Sequence, residues 1–238
     1  MAKLDFSKED INSRKVSSKD QRALSELKIE GLETIQARFD EAMKDIKGLS
    51  NVYTKLSSGE DDDESTKTSL DELLRSQVLL MESALDLYMH EVSKYGISKM
   101  FNNHPHWPET ISFKDYKVTL GNLKDVYHGK RNARDMANMI SSMLQYSSYM
   151  KFDAIIDQLV MIGVISQVDS IPGDISKFRP VITELSERRN IIAHASDRDS
   201  KKDFLGRKQK IEESKVIHYY DELIKFVSVI QKYVINKN

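Results

Sequence analysis

The chain has 238 residues and a net charge of −1, with 36 Lys and Arg against 37 Asp and Glu. That balance excludes a protein that coats nucleic acid through a general positive field, although a local basic groove is compatible with it. No cysteine is present, so disulfide frameworks, thiolate metal sites and cysteine nucleophiles are excluded, while 9 Gly and 4 Pro favour long helices over sheets.

The opening stretch MAKLDFSKEDINSRK has no apolar segment of the kind a secretory signal needs. No apolar run approaches the roughly 18 residues required to span a bilayer. The expectation is a cytoplasmic protein with no membrane partner, in which residues 1–19 form a flexible N-terminus and 20–238 a single helical domain.

Residues 20–48 place Leu24, Leu27, Leu32, Ile35, Phe39, Met43 and Ile46 three or four apart, which predicts a helix with one apolar face. The acidic run SSGEDDDESTKT, within 57–68, reads as a solvated loop. A second helix is expected from Ser69, whose spacing to Glu72 fits a capping box. Along it, Leu74, Val78, Met81, Leu85, Tyr88, Val92 and Tyr95 form one stripe, and Leu73, Leu80 and Leu87 a second. So wide an apolar arc predicts a central position in a bundle, with Gly96 as the C-cap.

Residues 101–132, with two prolines and the single tryptophan, read as an irregular insertion. Helical spacing returns at 133–146 and 151–165. IPGD at 171–174 is a turn with Asp174 as N-cap, followed by a helix to about 195, a charged connector at 197–210, and a last helix carrying Val216, Tyr220, Leu223, Val227, Ile230 and Val234. The fold class expected is all-α, a bundle of four to six helices.

Most polar motifs read as surface. His104 and His106 in HPHWP lack partners at metal-ligand spacing, His90 and His218 have no evident task, and His128 sits in a loop beside Lys130 and Arg131. The stretch RRNIIAHASDRD at 188–199 differs. An Arg, four to six intervening residues and then a His arises about once by chance in a chain of this composition, so position carries the weight. Phe178, Ile182, Leu185, Arg189 and Ile192 step by four, three, four and three. Arg189 therefore occupies a place in an apolar stripe, where a guanidinium is costly unless paired, at an interface, or facing a wet cleft.

Arg189 and His194 stand about 140° apart around a helix and about 7.5 Å along it. They cannot form a compact pair on one straight helix. Asn190, four residues before His194, shares its face and could orient the imidazole, and Glu187 lies on that face too. A two-fold dimer that brings two copies of the helix together would make one composite cleft.

On these residues the chain resembles the HEPN superfamily. ERRNIIAH is similar to the Arg-x4–6-His motif of HEPN domains, in which a polar residue, commonly Asn, follows the arginine. DELLRSQVLLMESALDLYMHEV resembles the corresponding helix of the RiboL-PSP branch. The resemblance covers most of 20–235; residues 101–132 match nothing in it. It implies a HEPN-like bundle acting as a metal-independent endoribonuclease, without a cofactor, on an RNA substrate, and working as a homodimer. In that setting His194 would handle a proton, Arg189 would hold the scissile phosphate, and Asn190 would orient the site, with Glu187 and Arg188 in support. Arg188 and Arg189 both fit the spacing; Arg189 is preferred because Asn190 follows it and it lies on the inward stripe. Arg198, Lys201, Lys202, Arg207 and Lys208 would form an RNA-contacting rim, or else a solvated connector. The family implies a toxin or antiviral defence effector with an antitoxin or defence-system partner. Two other readings stay open: an inactive HEPN-like module that binds RNA or assembles a defence complex, and a bundle whose Arg189 and His194 serve only an interface.

Overall fold

The computed structural model describes residues 18–59, 64–102, 119–130, 148–166, 170–195, 197 and 208–236, with side chains of the first helix from residue 31. The elements are α1 (Ser18–Ser57), α2 (Glu64–Asn102), α3 (Leu120–Tyr127), α4 (Phe152–Met161), α5 (Gly173–Ser176), α6 (Arg179–Ala195) and α7 (Glu213–Asn236). No strand occurs among the described residues, and the fold is all-α. No described helix is long and apolar enough to cross a membrane.

α2 is the axis of the bundle, packing against α1, α4, α6 and α7. The expected stripe carries this: Leu74, Val78, Met81, Leu85, Tyr88 and Val92 are all buried. From α1, Leu32, Ile35, Phe39, Met43 and Ile46 meet it, and the rings of Phe39 and Tyr88 lie 5.5 Å apart. Val216, Leu223, Val227, Ile230 and Val234 of α7 complete the core, and Phe226 sits between Phe152 and Phe178. Each such side chain contributes about 1.5–3 kcal/mol by leaving water.

Several local expectations are overturned. α1 ends at Ser57 and α2 begins at Glu64, so the acidic loop expected at 57–68 is helical over 64–68, while 60–63 lie outside the described residues. Ser69 is not a cap; its hydroxyl donates to the Ser65 carbonyl one turn back (3.0 Å), the alternative such side chains have inside a helix. Gly96 does not end α2 either. A Cβ there would stand 2.6 Å from Ile162 Cβ, so the glycine lets the turn after α4 approach the helix. The second stripe faces outward in part, with Leu80 45% and Leu87 55% exposed. The single helix expected from 175 to 195 is two, α5 and α6. Pro180, which lacks an N–H and crowds the carbonyl four residues back, separates them and is tolerated in the first turn of α6. Pro172, not Asp174, caps α5, and Asp174 accepts from the Tyr233 hydroxyl (2.8 Å).

The expected insertion at 101–132 includes the last residues of α2 and the short helix α3, whose N-cap Thr119 accepts from the Asn122 N–H. The helix expected at 133–146 lies outside the described residues.

Candidate functional site

α6 carries the motif. Phe178, Ile182, Leu185 and Ile192 are buried along its inward face, and Arg189 is half-buried among them. The two adjacent arginines diverge into different surroundings. Arg188 forks onto Asp197, with Nη1 2.6 Å from Oδ1 and Nη2 2.9 Å from Oδ2, and also donates to Gln209 Oε1 (2.9 Å). Arg75 of α2 bonds the same carboxylate through Nε and donates to the Gln209 carbonyl (2.8 Å). Asp197 is fully buried and takes the left-handed backbone conformation (φ 62°), one that Asp adopts more readily than most residues. Its N–H returns to the Ile191 carbonyl (3.1 Å), and its own carbonyl accepts from Gln209 (2.7 Å). Asp197 thus closes α6, ties it to the segment before α7, and bridges two inward guanidiniums, of which Arg75 also pairs with Asp71 (3.5 Å) and Glu72 (3.3 Å). Arg188 is committed to that junction.

Arg189 is differently placed. Its Nη1 donates to Asn190 Oδ1 (3.1 Å), and no carboxylate among the described residues lies within ion-pair distance. Asn190 therefore engages the arginine, whereas its spacing to His194 had suggested that it would orient the imidazole. His194 occupies the last turn of α6 and is exposed, as is Glu187. Among the described residues no hydrogen bond joins Arg189 to His194, and the first is half-buried while the second is exposed. Of the expected rim, Lys208 is ion-paired with Glu72, while Arg198, Lys201, Lys202 and Arg207 lie outside the described residues.

Across from α6, α2 supplies a residue that spacing alone did not single out. Glu82 is 0% exposed, and neither carboxyl oxygen has a hydrogen-bond partner among the described residues. Burial pushes its carboxyl up to about 8; the Arg189 charge opposes this and Asp86 adds to it. At neutral pH Glu82 is therefore mostly protonated, as expected for an isolated carboxyl in an apolar interior. The signal was available: Glu82 follows Val78 by four and precedes Leu85 by three, a charge on an apolar stripe just as Arg189 is. Arg75, three before Val78, is a third case.

One turn further, Asp86 accepts from the Tyr149 N–H (2.6 Å) and lies 3.6 Å from His90 Nε2. The His90 and Tyr149 rings meet edge-on at 4.6 Å. His90, for which the sequence offered no task, thus belongs to a polar seam of Glu82, Asp86 and His90 along α2.

A shallow apolar groove between α1 and α2, lined by Ile35, Phe39, Ala84 and Leu87 among others, includes none of the motif residues. Among the described residues no group of three His, Asp or Glu is arranged to hold a metal ion. Chemically, α6 offers a half-buried guanidinium with no carboxylate among the described residues at ion-pair distance, an amide hydrogen-bonded to it and an exposed imidazole, and α2 adds a fully buried carboxyl. No protein-family profile, curated protein or solved structure matches this chain.

Proposed function

We propose that the chain is a metal-independent endoribonuclease of HEPN type that works as a two-fold dimer. The observation that carries this reading is the contrast between the two arginines: Arg188 is consumed by Asp197 and Gln209, while among the described residues Arg189 has the neutral Asn190 side chain and no carboxylate at ion-pair distance. A half-buried cation without a carboxylate is poised for an external anion, and a planar guanidinium suits the oxygens of a phosphodiester.

In this reading Arg189 holds the scissile phosphate and stabilises the charge that builds on its non-bridging oxygens. The ribose 2′-oxygen attacks phosphorus and gives its proton to a base; the bond to the 5′-oxygen breaks, and that oxygen takes up a proton. His194 performs one of these transfers, since imidazole titrates near working pH. The products are a 2′,3′-cyclic phosphate and a 5′-hydroxyl. His194 of one copy and Arg189 of the other share a cleft, because the two diverge on a single helix. The biological setting that follows from the resemblance is a toxin or antiviral effector restrained by a partner.

The test is incubation of pure protein with total RNA in excess EDTA. Cyclic-phosphate ends are expected from the wild type and not from Arg189→Ala or His194→Ala. Absence of cleavage, or cleavage unchanged in both variants, refutes the proposal, and a monomeric mass by light scattering refutes the shared cleft. The exposure of His194, with no orienting carboxylate among the described residues, favours the second reading of a non-catalytic RNA-binding module. Its mark is RNA binding that needs Arg189 but no cleavage.

A further inference from the structure

Glu82 and Arg189 lie on the apolar stripes of α2 and α6, two helices that pack together, in complementary states: among the described residues, an acid with no hydrogen-bond partner and a cation with no carboxylate at ion-pair distance. The carboxyl is fully enclosed, so its ionised form cannot be satisfied by water and must take a charge from nearby. The charges whose fields reach it are Arg189 from α6 and Asp86 from its own helix, and Asp86 is engaged by the Tyr149 N–H and His90. Among the described residues α1, α4 and α7 present no charged group that acts on it. Among the described residues Arg189 is thus the cation whose charge reaches Glu82, and its hold on Asn190 is one neutral hydrogen bond.

We propose that Glu82 is a protonation-controlled tether on Arg189. Protonated, Glu82 leaves the guanidinium free to bind a phosphodiester; ionised, it draws the guanidinium into an internal ion pair and closes the anion site. This rests on Arg189 being the phosphate-binding group of the proposed function. By linkage, an anion that occupies Arg189 also favours the protonated acid, so binding takes up a proton as pH approaches the Glu82 midpoint. Glu82 is a positioning residue in this scheme and touches no reacting atom. The device sets an alkaline limit on substrate binding that is independent of His194.

The experiment measures binding of a 2′-O-methyl oligoadenylate between pH 6.5 and 9.5. This probe lacks the nucleophilic hydroxyl and has no base titrating in that range. Placing the midpoint near 8, affinity should fall about tenfold from pH 7 to pH 9 in the wild type. It should stay level in Glu82→Gln, which holds the neutral form permanently. A second measurement needs no variant: the Arg189 Nε–H resonance, followed by NMR with and without sulfate, should shift with the same midpoint. Sulfate does not itself titrate here, and should move the resonance at pH 7 but not at pH 9. A level wild-type profile, a fall that persists in Glu82→Gln, or an Arg189 resonance indifferent to pH overturns the tether. So does an Arg189 that neither probe reaches. The nuclease reading fails separately: pH-gated binding that needs Glu82, without cleavage of ordinary RNA, keeps the tether and removes the nuclease. Cleavage with level binding does the reverse.

Discussion

Replacing Glu82 by Gln should stabilise the protein at neutral pH, and by an amount that depends on pH in a defined way. The carboxyl is raised from 4.5 in an open chain to about 8 in the fold, chiefly by burial. A raised acid holds its proton more tightly when folded. Below pH 4.5 both states are protonated and the site costs nothing by ionisation. As pH rises from there toward 8, the unfolded chain releases the proton while the folded protein retains it. Stability is therefore lost across this window and levels off above it. At pH 7 the interval above 4.5 spans 2.5 pH units, which at about 1.4 kcal/mol per unit amounts to about 3.5 kcal/mol. Glutamine is nearly isosteric and has no such proton, so its variant lacks this slope. Urea unfolding followed by circular dichroism at pH 5, 6, 7 and 8 should show the variant gaining on the wild type by about 2–3 kcal/mol between pH 5 and pH 7. Parallel stability profiles would mean that Glu82 is ionised or solvated in the fold, and the reasoning from its burial would be wrong.

Removing Asp197, as Asp197→Ala, takes the fully buried carboxylate from both arginines, leaving Arg188 with the neutral Gln209 and Arg75 with Asp71 and Glu72, and should cost about 3–5 kcal/mol in chemical unfolding. Loss of less than 1 kcal/mol would show the cluster to be solvated. The adjacent arginines should separate by readout: Arg188→Ala should lower the melting temperature, because it breaks the α6 junction. Arg189→Ala should abolish RNA binding while changing stability by only about 0.5 kcal/mol; the opposite pattern would make Arg188 the functional residue. Gly96→Ala should destabilise by about 1–3 kcal/mol, since its Cβ would meet Ile162 at 2.6 Å and neither helix backbone can easily give. Unchanged stability there would mean that the α2–α4 packing is loose.

Helical period and composition were enough to place the core faces of α1, α2, α6 and α7 and to mark Arg189 as a charge where an apolar residue belongs. Those features are local: an apolar stripe recurs every three or four residues whatever surrounds the helix. Helix ends were less legible, because Ser69 and Gly96 each have a second use, a bond to the preceding turn and a close approach to Ile162. The outward turn of Leu80 and Leu87 depends on which neighbours α2 acquires, and no periodicity contains that. The division of labour between Arg188 and Arg189 was decided by folding alone. It required Asp197 to meet Arg75 from 122 positions away, in a backbone conformation that only the end of α6 imposes. The state of Glu82 was decided the same way: its sequence neighbours show an acid on an apolar stripe, but its pKa is pushed up because the packed bundle takes the carboxyl out of water and offers it no hydrogen-bond partner among the described residues.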